Sequence, residues 1–381
     1  MDTSPALQQL TIREPEREDP SSSSDTALQA ILRSSHLPAL DGLRAVAAFL
    51  VILYHFEIGR KVGHWGNLGV EMFFSHSGFL ITWLLLREQE RQGAINLRQF
   101  YVRRSLRIWP AFYIYGLLCL GLLLLNGLEI HWAGFLAAFF YVSNIYEALG
   151  YPHQRFLGHT WSLAVEEQFY LLWPLMLLLC RRNTTYLTYV LSAIIGSVWG
   201  YRAWLVLTLG ASSDYLYAAP HMRWDQLMTG CLLAVLLKRE ACPELWRGLC
   251  SRSLLPVVTL ILLGTSAYLQ VISDYTYIYL IGFAIDPLLT TILIVQLIRL
   301  HTRVPWRWLN WRSVQYLGHI SYSLYLYHVL LMPAAVHTVL DRYLRWWQLE
   351  FVVKLGITIL LASGSFWLVE RPFLKVKKHF A

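Results

Sequence analysis

Ten apolar runs joined by short basic connections take up almost the whole chain after residue 36. They lie at about 37–56, 69–86, 106–125, 161–179, 187–209, 221–237, 254–272, 277–298, 314–337 and 351–369. A helix needs about 20 residues to cross the hydrocarbon of a bilayer, within a range of about 17–25, and most of these runs qualify. The sixth is short and polar at its start. An aromatic-rich run from Trp132 to Tyr146 reads as interfacial or re-entrant. A soluble core would need charge-striped helices to cover it. Here 56% of residues are hydrophobic, 15% are charged and the mean hydropathy is +0.43, against about 25% charged in soluble domains. The expected fold class is therefore all-α: a polytopic integral-membrane bundle of about ten transmembrane helices.

The basic residues orient it. With a cytoplasmic start, the inner connections and the C-terminal tail hold twenty Lys and Arg and the outer ones five, namely Arg60, Lys61, Arg155, Arg342 and Arg345. That bias follows the positive-inside rule, with both termini cytoplasmic. It also accounts for the formal net charge of +8 without a nucleic-acid partner. Residues 1–36 are polar and acidic, lack the basic start and apolar core of a signal peptide, and read as a disordered cytoplasmic tail. A transmembrane domain over 37–373 and a basic tail over 374–381 complete the division. The five cysteines show neither metal-ligand nor disulfide spacing, and no metal site is expected.

Orientation turns position into depth. In the first run, DGLRAVAAFLVILYHF, Arg44 lies in the inner half and His55 near the outer end, about 16 Å further up at about 1.5 Å per residue. Ionisable groups inside a membrane are expensive and mark pairing or function. The fourth run descends from outside as HTWSLAVEEQFYLLWP, so Glu166 and Glu167 fall in its outer half, at a depth where one of them can meet His55. An imidazole with a carboxylate beside it can take a proton from a hydroxyl. Adjacent on one helix, the two glutamates point about 100° apart, and spacing does not choose between them. Glu71, His76, His221, Arg223, Asp225, Asp286 and His328 enter the same outer zone, either as structural ion pairs or as the lining of a polar chamber. On the inner side, INLRQFYVRRSLRIWPAFY places Arg98, Arg103, Arg104 and Arg107 at a helix mouth. Guanidiniums there anchor against anionic lipid or clamp phosphate, and the phosphates of coenzyme A suit the second use. No Walker loop, dinucleotide fingerprint or zincin helix is present, and Ser162 lacks the glycines of a nucleophile elbow.

Several ordered motifs together resemble the membrane acyltransferase 3 family, bacterial integral-membrane O-acyltransferases of glycans and related acceptors. They are LPALDGLRAVAAFLVILYH, GVEMFFSHSGFLI, FYVRRSLRIWPAF, HTWSLAVEEQFYLLWP, RWDQLMTGCLLA, GHISYSLYLYH and VERPF. The resemblance runs from about Leu37 to Phe373. It implies that Arg44 and His55 are the family's Arg–His pair, with His55 needed for acyl transfer. It implies that Arg103, Arg104 and Arg107 form the Arg-rich donor segment and that Trp161, Ser162 and Glu166 are the Trp-Ser-Leu-x-x-Glu motif. Arg223 and Asp225 fall on the Arg-x-Asp element. Where the family commonly has Val-Leu before Ser-Gly, this chain has Ser75 and His76, which places a second histidine near His55.

The reaction expected from these readings carries an acyl group, acetyl first, from acyl-CoA to a sugar hydroxyl of a cell-surface or secreted glycan, in the bacterial plasma (inner) membrane. His55 acts as base with Glu166 in support. Arg44, Arg103, Arg104 and Arg107 bind the donor; His76, Trp161, Ser162, Arg223, Asp225 and His328 line the substrate site. The competing reading is a proton-coupled transporter of a lipid-linked sugar or small anion, which would use the same buried charges.

Overall fold

Long apolar stretches fold as helices because a helix satisfies its backbone polar groups internally, as lipid requires, and Pro110, Pro174 and Pro287 are accommodated inside three of them. The computed structural model describes residues 37–56, 64–180, 183–273, 275–332 and 347–377, and among them there are helices and no strands. The tail over 1–36, the outer basic residues Arg60, Lys61, Arg342 and Arg345, the inner Arg181 and Arg182, and Lys378 lie outside the described residues.

Among the described residues, eight helices are long and apolar enough to span a membrane. They begin with α1 (Pro38–His55), α2 (Trp65–Gln92) and α3 (Leu97–Leu125). The aromatic run after α3 folds as two short helices, α4 (Trp132–Phe139) and α5 (Ser143–Ala148), before α6 (Thr160–Leu179) and α7 (Thr184–Trp204), which continues as a π-helical turn over Leu205–Leu209. The short α8 (Ser213–Ala218) leads through a 3-10 turn, Pro220–Met222, into α9 (Trp224–Lys238). Next come α10 (Pro243–Leu249), α11 (Leu255–Ile272) and α12 (Phe283–Leu300), the last entered through a π-helical turn over Tyr277–Gly282.

Two of the ten apolar runs do not become long helices. The sixth gives α9, of 15 residues, because the Pro220–Met222 turn takes up its polar start. The described part of the ninth, up to residue 332, is broken into α13 (Arg312–His319), α14 (Ser321–Tyr327) and a 3-10 turn, His328–Leu331, and its residues 333–337 lie outside the described residues. Near the break Gly318 lies so close to α1 that a methyl group on it would sit 2.1 Å from the Asp41 carbonyl oxygen. The last span, α15 (Trp347–Ser365), runs through a π-helical turn, Phe366–Glu370, into α16 (Arg371–Lys377).

Helix α2 is the centre of the bundle, packed between α1 and α9. A methyl group on Gly66 would meet the Tyr54 ring, and one on Gly69 would meet Ala47 and Val51, which fixes the antiparallel register of α1 and α2. On its other side, a methyl group on Gly78 would lie 1.9 Å from the Leu227 carbonyl oxygen, and one on Gly230 would lie 1.9 Å from that of Ser75. Small residues let membrane helices approach and exchange polar contacts. Here the Ser75 hydroxyl donates to the Gln226 carbonyl at 3.3 Å and the Cys231 thiol to the Gly78 carbonyl at 3.4 Å.

A Gly78→Val variant is therefore expected to lose the α2–α9 contact and accumulate poorly in membranes. Gly116→Val, at a position with no neighbour within 4 Å, is expected to stay near wild type. Thermal unfolding of the purified variants in detergent checks the pair.

Candidate functional site

His55 ends α1 with its Nδ1 2.9 Å from the Val51 carbonyl oxygen. A carbonyl can only accept, so Nδ1 carries a hydrogen, and in the neutral ring the lone pair is then on Nε2. His328, at the end of the broken ninth run, repeats the arrangement: its Nδ1 is 2.7 Å from the Tyr325 carbonyl oxygen. The two rings lie 4.8 Å apart, edge to face. A third imidazole closes the group, since His159, just before α6, lies 5.5 Å from His328 and 5.3 Å from the Tyr325 ring. The Tyr325 hydroxyl donates to the His159 carbonyl at 2.9 Å and is 2.5 Å from the Ser162 hydroxyl. His328 Nε2 and both ring nitrogens of His159 are buried with no hydrogen-bond partner among the described residues.

Deeper in the bundle lies a cluster of charge. Arg104 pairs with Glu167 at 3.3 Å and stacks its guanidinium 3.6 Å from the centre of the Tyr170 ring. Glu166 interacts with Ser77 and faces the guanidiniums of Arg104 and Arg44. Arg107 faces Arg44, Arg104, Asp41 and Glu370. The π-helical turn positions Glu370, whose Oε1 accepts from the Ser323 hydroxyl at 2.5 Å. Arg44, Arg104, Arg107, Glu166 and Glu167 each keep part of their surface open. Near the start of α3 Arg103 pairs with Glu88 at 2.5 Å, and Arg98 is exposed.

A second group of charges is closed. Arg223 and Glu71 are 0% exposed and 3.8 Å apart, and the guanidinium sits 4.0 Å from the centre of the Phe283 ring and 5.2 Å from that of Trp161. Asp225 pairs with Arg202 at 2.8 Å and accepts from the Trp199 indole at 2.9 Å; Arg202 also donates to the Met222 carbonyl. Asp286 accepts from Gln270 at 2.8 Å. These pairs tie α9 to α2 and α7, with aromatic rings excluding solvent.

The residues singled out from sequence thus fall into three places. His55 and His328 come together beside Ser162. Arg44, Arg104, Arg107 and Glu166 gather toward the N-terminal end of α1, with Arg103 next to Arg104 in α3. Arg223, Asp225 and Trp161 have their neighbours inside the fold.

Two depths differ from the sequence reading. Glu166 is seven residues, about 10 Å, further in than His159, the α6-end residue that stands beside the imidazoles. His76 is not a neighbour of His55: Gly66 is level with Tyr54, and ten residues down each helix bring His76 level with Arg44, whose charge and that of Arg107 it feels. Sequence reading missed His159, Glu370 and Arg202. The motifs HTWSLA and VERPF contained the first two, but nothing in spacing distinguished them from their neighbours.

Imidazoles at the C-terminal end of α1 and partly open guanidiniums toward its other end suit transfer between a small hydroxyl and an anionic donor. Comparison with known proteins gives the class. A family model described as an acyltransferase domain matches residues 37–368, and the chain belongs to that family, membrane acyltransferase 3. The peptidoglycan O-acetyltransferase OatA of Listeria monocytogenes is 28% identical over 361 residues, covering 89% of this chain and 56% of that protein. The O-acetyltransferase OatA of Staphylococcus aureus is 30% identical over 373 residues, covering 91% of this chain and 59% of that protein. The chain therefore spans somewhat over half the length of these relatives. No solved structure matches it.

Removing one partner of a buried ion pair leaves an uncompensated charge and costs about 3–5 kcal/mol. Arg202→Met is expected to destabilise the protein by about that much, and Arg202→Met combined with Asp225→Leu by clearly less. Thermal unfolding of both variants measures the difference.

Proposed function

We propose that the protein is an O-acetyltransferase that moves acetyl from acetyl-CoA, entering from the cytoplasm, to a sugar hydroxyl of a cell-envelope glycan at the outer side of the plasma membrane. The observation that carries this reading is the pair of carbonyl-locked imidazoles, His55 and His328, at the opposite end of α1 from an open guanidinium cluster. Ten crossings with both termini cytoplasmic go with it: α9 and the broken segment 312–331 cross as short or interrupted elements, which keeps the arginine cluster on the inner side. Broken helices are tolerated at membrane depth where protein buries them.

In this mechanism Arg104, Arg107 and Arg44 hold the donor's phosphates, Arg103 acts at the entrance, and the pantetheine arm rises about 16 Å along α1 toward His55. His55 Nε2 takes the hydroxyl proton as oxygen attacks the thioester carbon. When the tetrahedral carbon collapses, the C–S bond breaks and the proton passes to the departing sulfur. The Val51 carbonyl holds the base in its reactive tautomer. His328 and Ser162 border the acceptor, and Trp161 packs behind it. Glu166 lies along the donor path and keeps the guanidiniums of Arg104 and Arg44 directed into it. A cleft shielded from bulk water strengthens each of these contacts and limits thioester hydrolysis.

The test is chemical. Purified protein in lipid nanodiscs, given acetyl-CoA and soluble peptidoglycan fragments, is expected to release free CoA and form an ester that mild base removes. His55→Ala is expected to lower the turnover number by about 10²–10⁴-fold, the usual contribution of general base catalysis. Accumulation of an unmodified solute in proteoliposomes, with no ester formed, would sink the proposal in favour of transport.

A further inference from the structure

We infer that His76 is a donor-binding residue that contacts a phosphoryl group of the acyl-CoA, an inference that rests on the reading above. The α1–α2 register sets its depth, as Gly66 lies against Tyr54 and His76 falls level with Arg44, about 16 Å along α1 from the acceptor end. It is 3% exposed, on the face of α2 that feels both Arg44 and Arg107. Its Nε2 has no hydrogen-bond partner among the described residues. A buried polar atom left unpaired costs stability, so a ring nitrogen retained there implies a partner that arrives with a ligand.

The surroundings define that partner. Arg44 and Arg107 already supply positive charge on that side of α2, and an imidazole in its neutral form offers one N–H. Arg44, Arg104 and Arg107, which face one another and keep open surface, already suit an anion with several oxygens. A neutral donor adds a hydrogen bond to such a site without adding repulsion among its cations. A phosphoryl oxygen satisfies both kinds of donor. A sugar hydroxyl at this depth would be about 15 Å below the His55 base. The same segment shows why the residue is informative: His76 stands beside Ser75, which is engaged with α9, and Gly78, which lies against the Leu227 backbone. Packing thus accounts for both of those residues, and an aliphatic side chain at His76 would fill the core without an unpaired nitrogen.

The experiment is equilibrium binding to purified protein in phosphatidylcholine nanodiscs, with CoA and 4′-phosphopantetheine as probes and pantetheine as the phosphate-free control. His76→Leu is expected to weaken CoA and phosphopantetheine binding by about tenfold, as loss of one hydrogen bond to a charged group does, and to raise KM for acetyl-CoA far more than it lowers kcat. His76→Gln, which keeps an N–H, is expected to recover most of the affinity. Unchanged CoA affinity in His76→Leu overturns the inference, as does an equal loss for pantetheine. Retained CoA affinity with lost binding of phosphatidylglycerol added to the discs also overturns it, by moving the contact to lipid. If His76→Leu does not fold, Gln carries the test: affinity at wild-type level supports a hydrogen-bond role, and a shift to the pantetheine-only level refutes it. Failure of the unaltered protein to bind CoA at all would instead refute the proposed function.

Discussion

The close approach of α2 to its two neighbours controls everything else in this bundle. Gly66 and Gly69 against α1, and Gly78 and Gly230 between α2 and α9, bring backbones together where any side chain would clash. Within lipid no water is on hand to complete a hydrogen bond. The depth at which a polar side chain sits therefore decides which partner it finds. Sliding α2 by one turn would separate Glu71 from Arg223 and His76 from Arg44, and would move Ser75 away from the Gln226 carbonyl.

That register sorts the intramembrane charges by physical role. Arg223 with Glu71 and Arg202 with Asp225 are sealed on every side, at 1% exposure or less. Charges desolvated to that degree persist only in pairs, and pairs on separate helices specify which helices meet. Arg44, Arg104, Arg107, Glu166 and Glu167 keep open surface. That open surface leaves the room a ligand needs. The two classes contain the same residue types, and only the surrounding rings and helices distinguish them. Backbone irregularity contributes as well: the π-helical turn at Phe366–Glu370 aims a carboxylate toward Arg107 and Arg44, in keeping with the tendency of such turns to mark functional positions.

The histidine group relies on backbone carbonyls in place of an acid. Val51 and Tyr325 each hold a histidine Nδ1. This achieves what a carboxylate would achieve for the tautomer, without placing a second charge in a poorly hydrated site. It also explains why Glu166 can stand two turns lower: the imidazoles do not need it for orientation.

The helical membrane architecture and the placement of Arg44 and His55 about 16 Å apart were legible in the sequence, because apolar run length, loop charge and helical rise are properties of the local chain. Family resemblance also picked out the arginines of α3 and the WSL motif. The partners were not legible. That His159 and not Glu166 stands beside the imidazoles, that His76 lies level with Arg44, and that Asp225 pairs with Arg202 all depend on the relative height of separate helices. Residue spacing measures distance along one helix. Glycine contacts and capping turns between helices set the offsets, and those exist only once the bundle has packed.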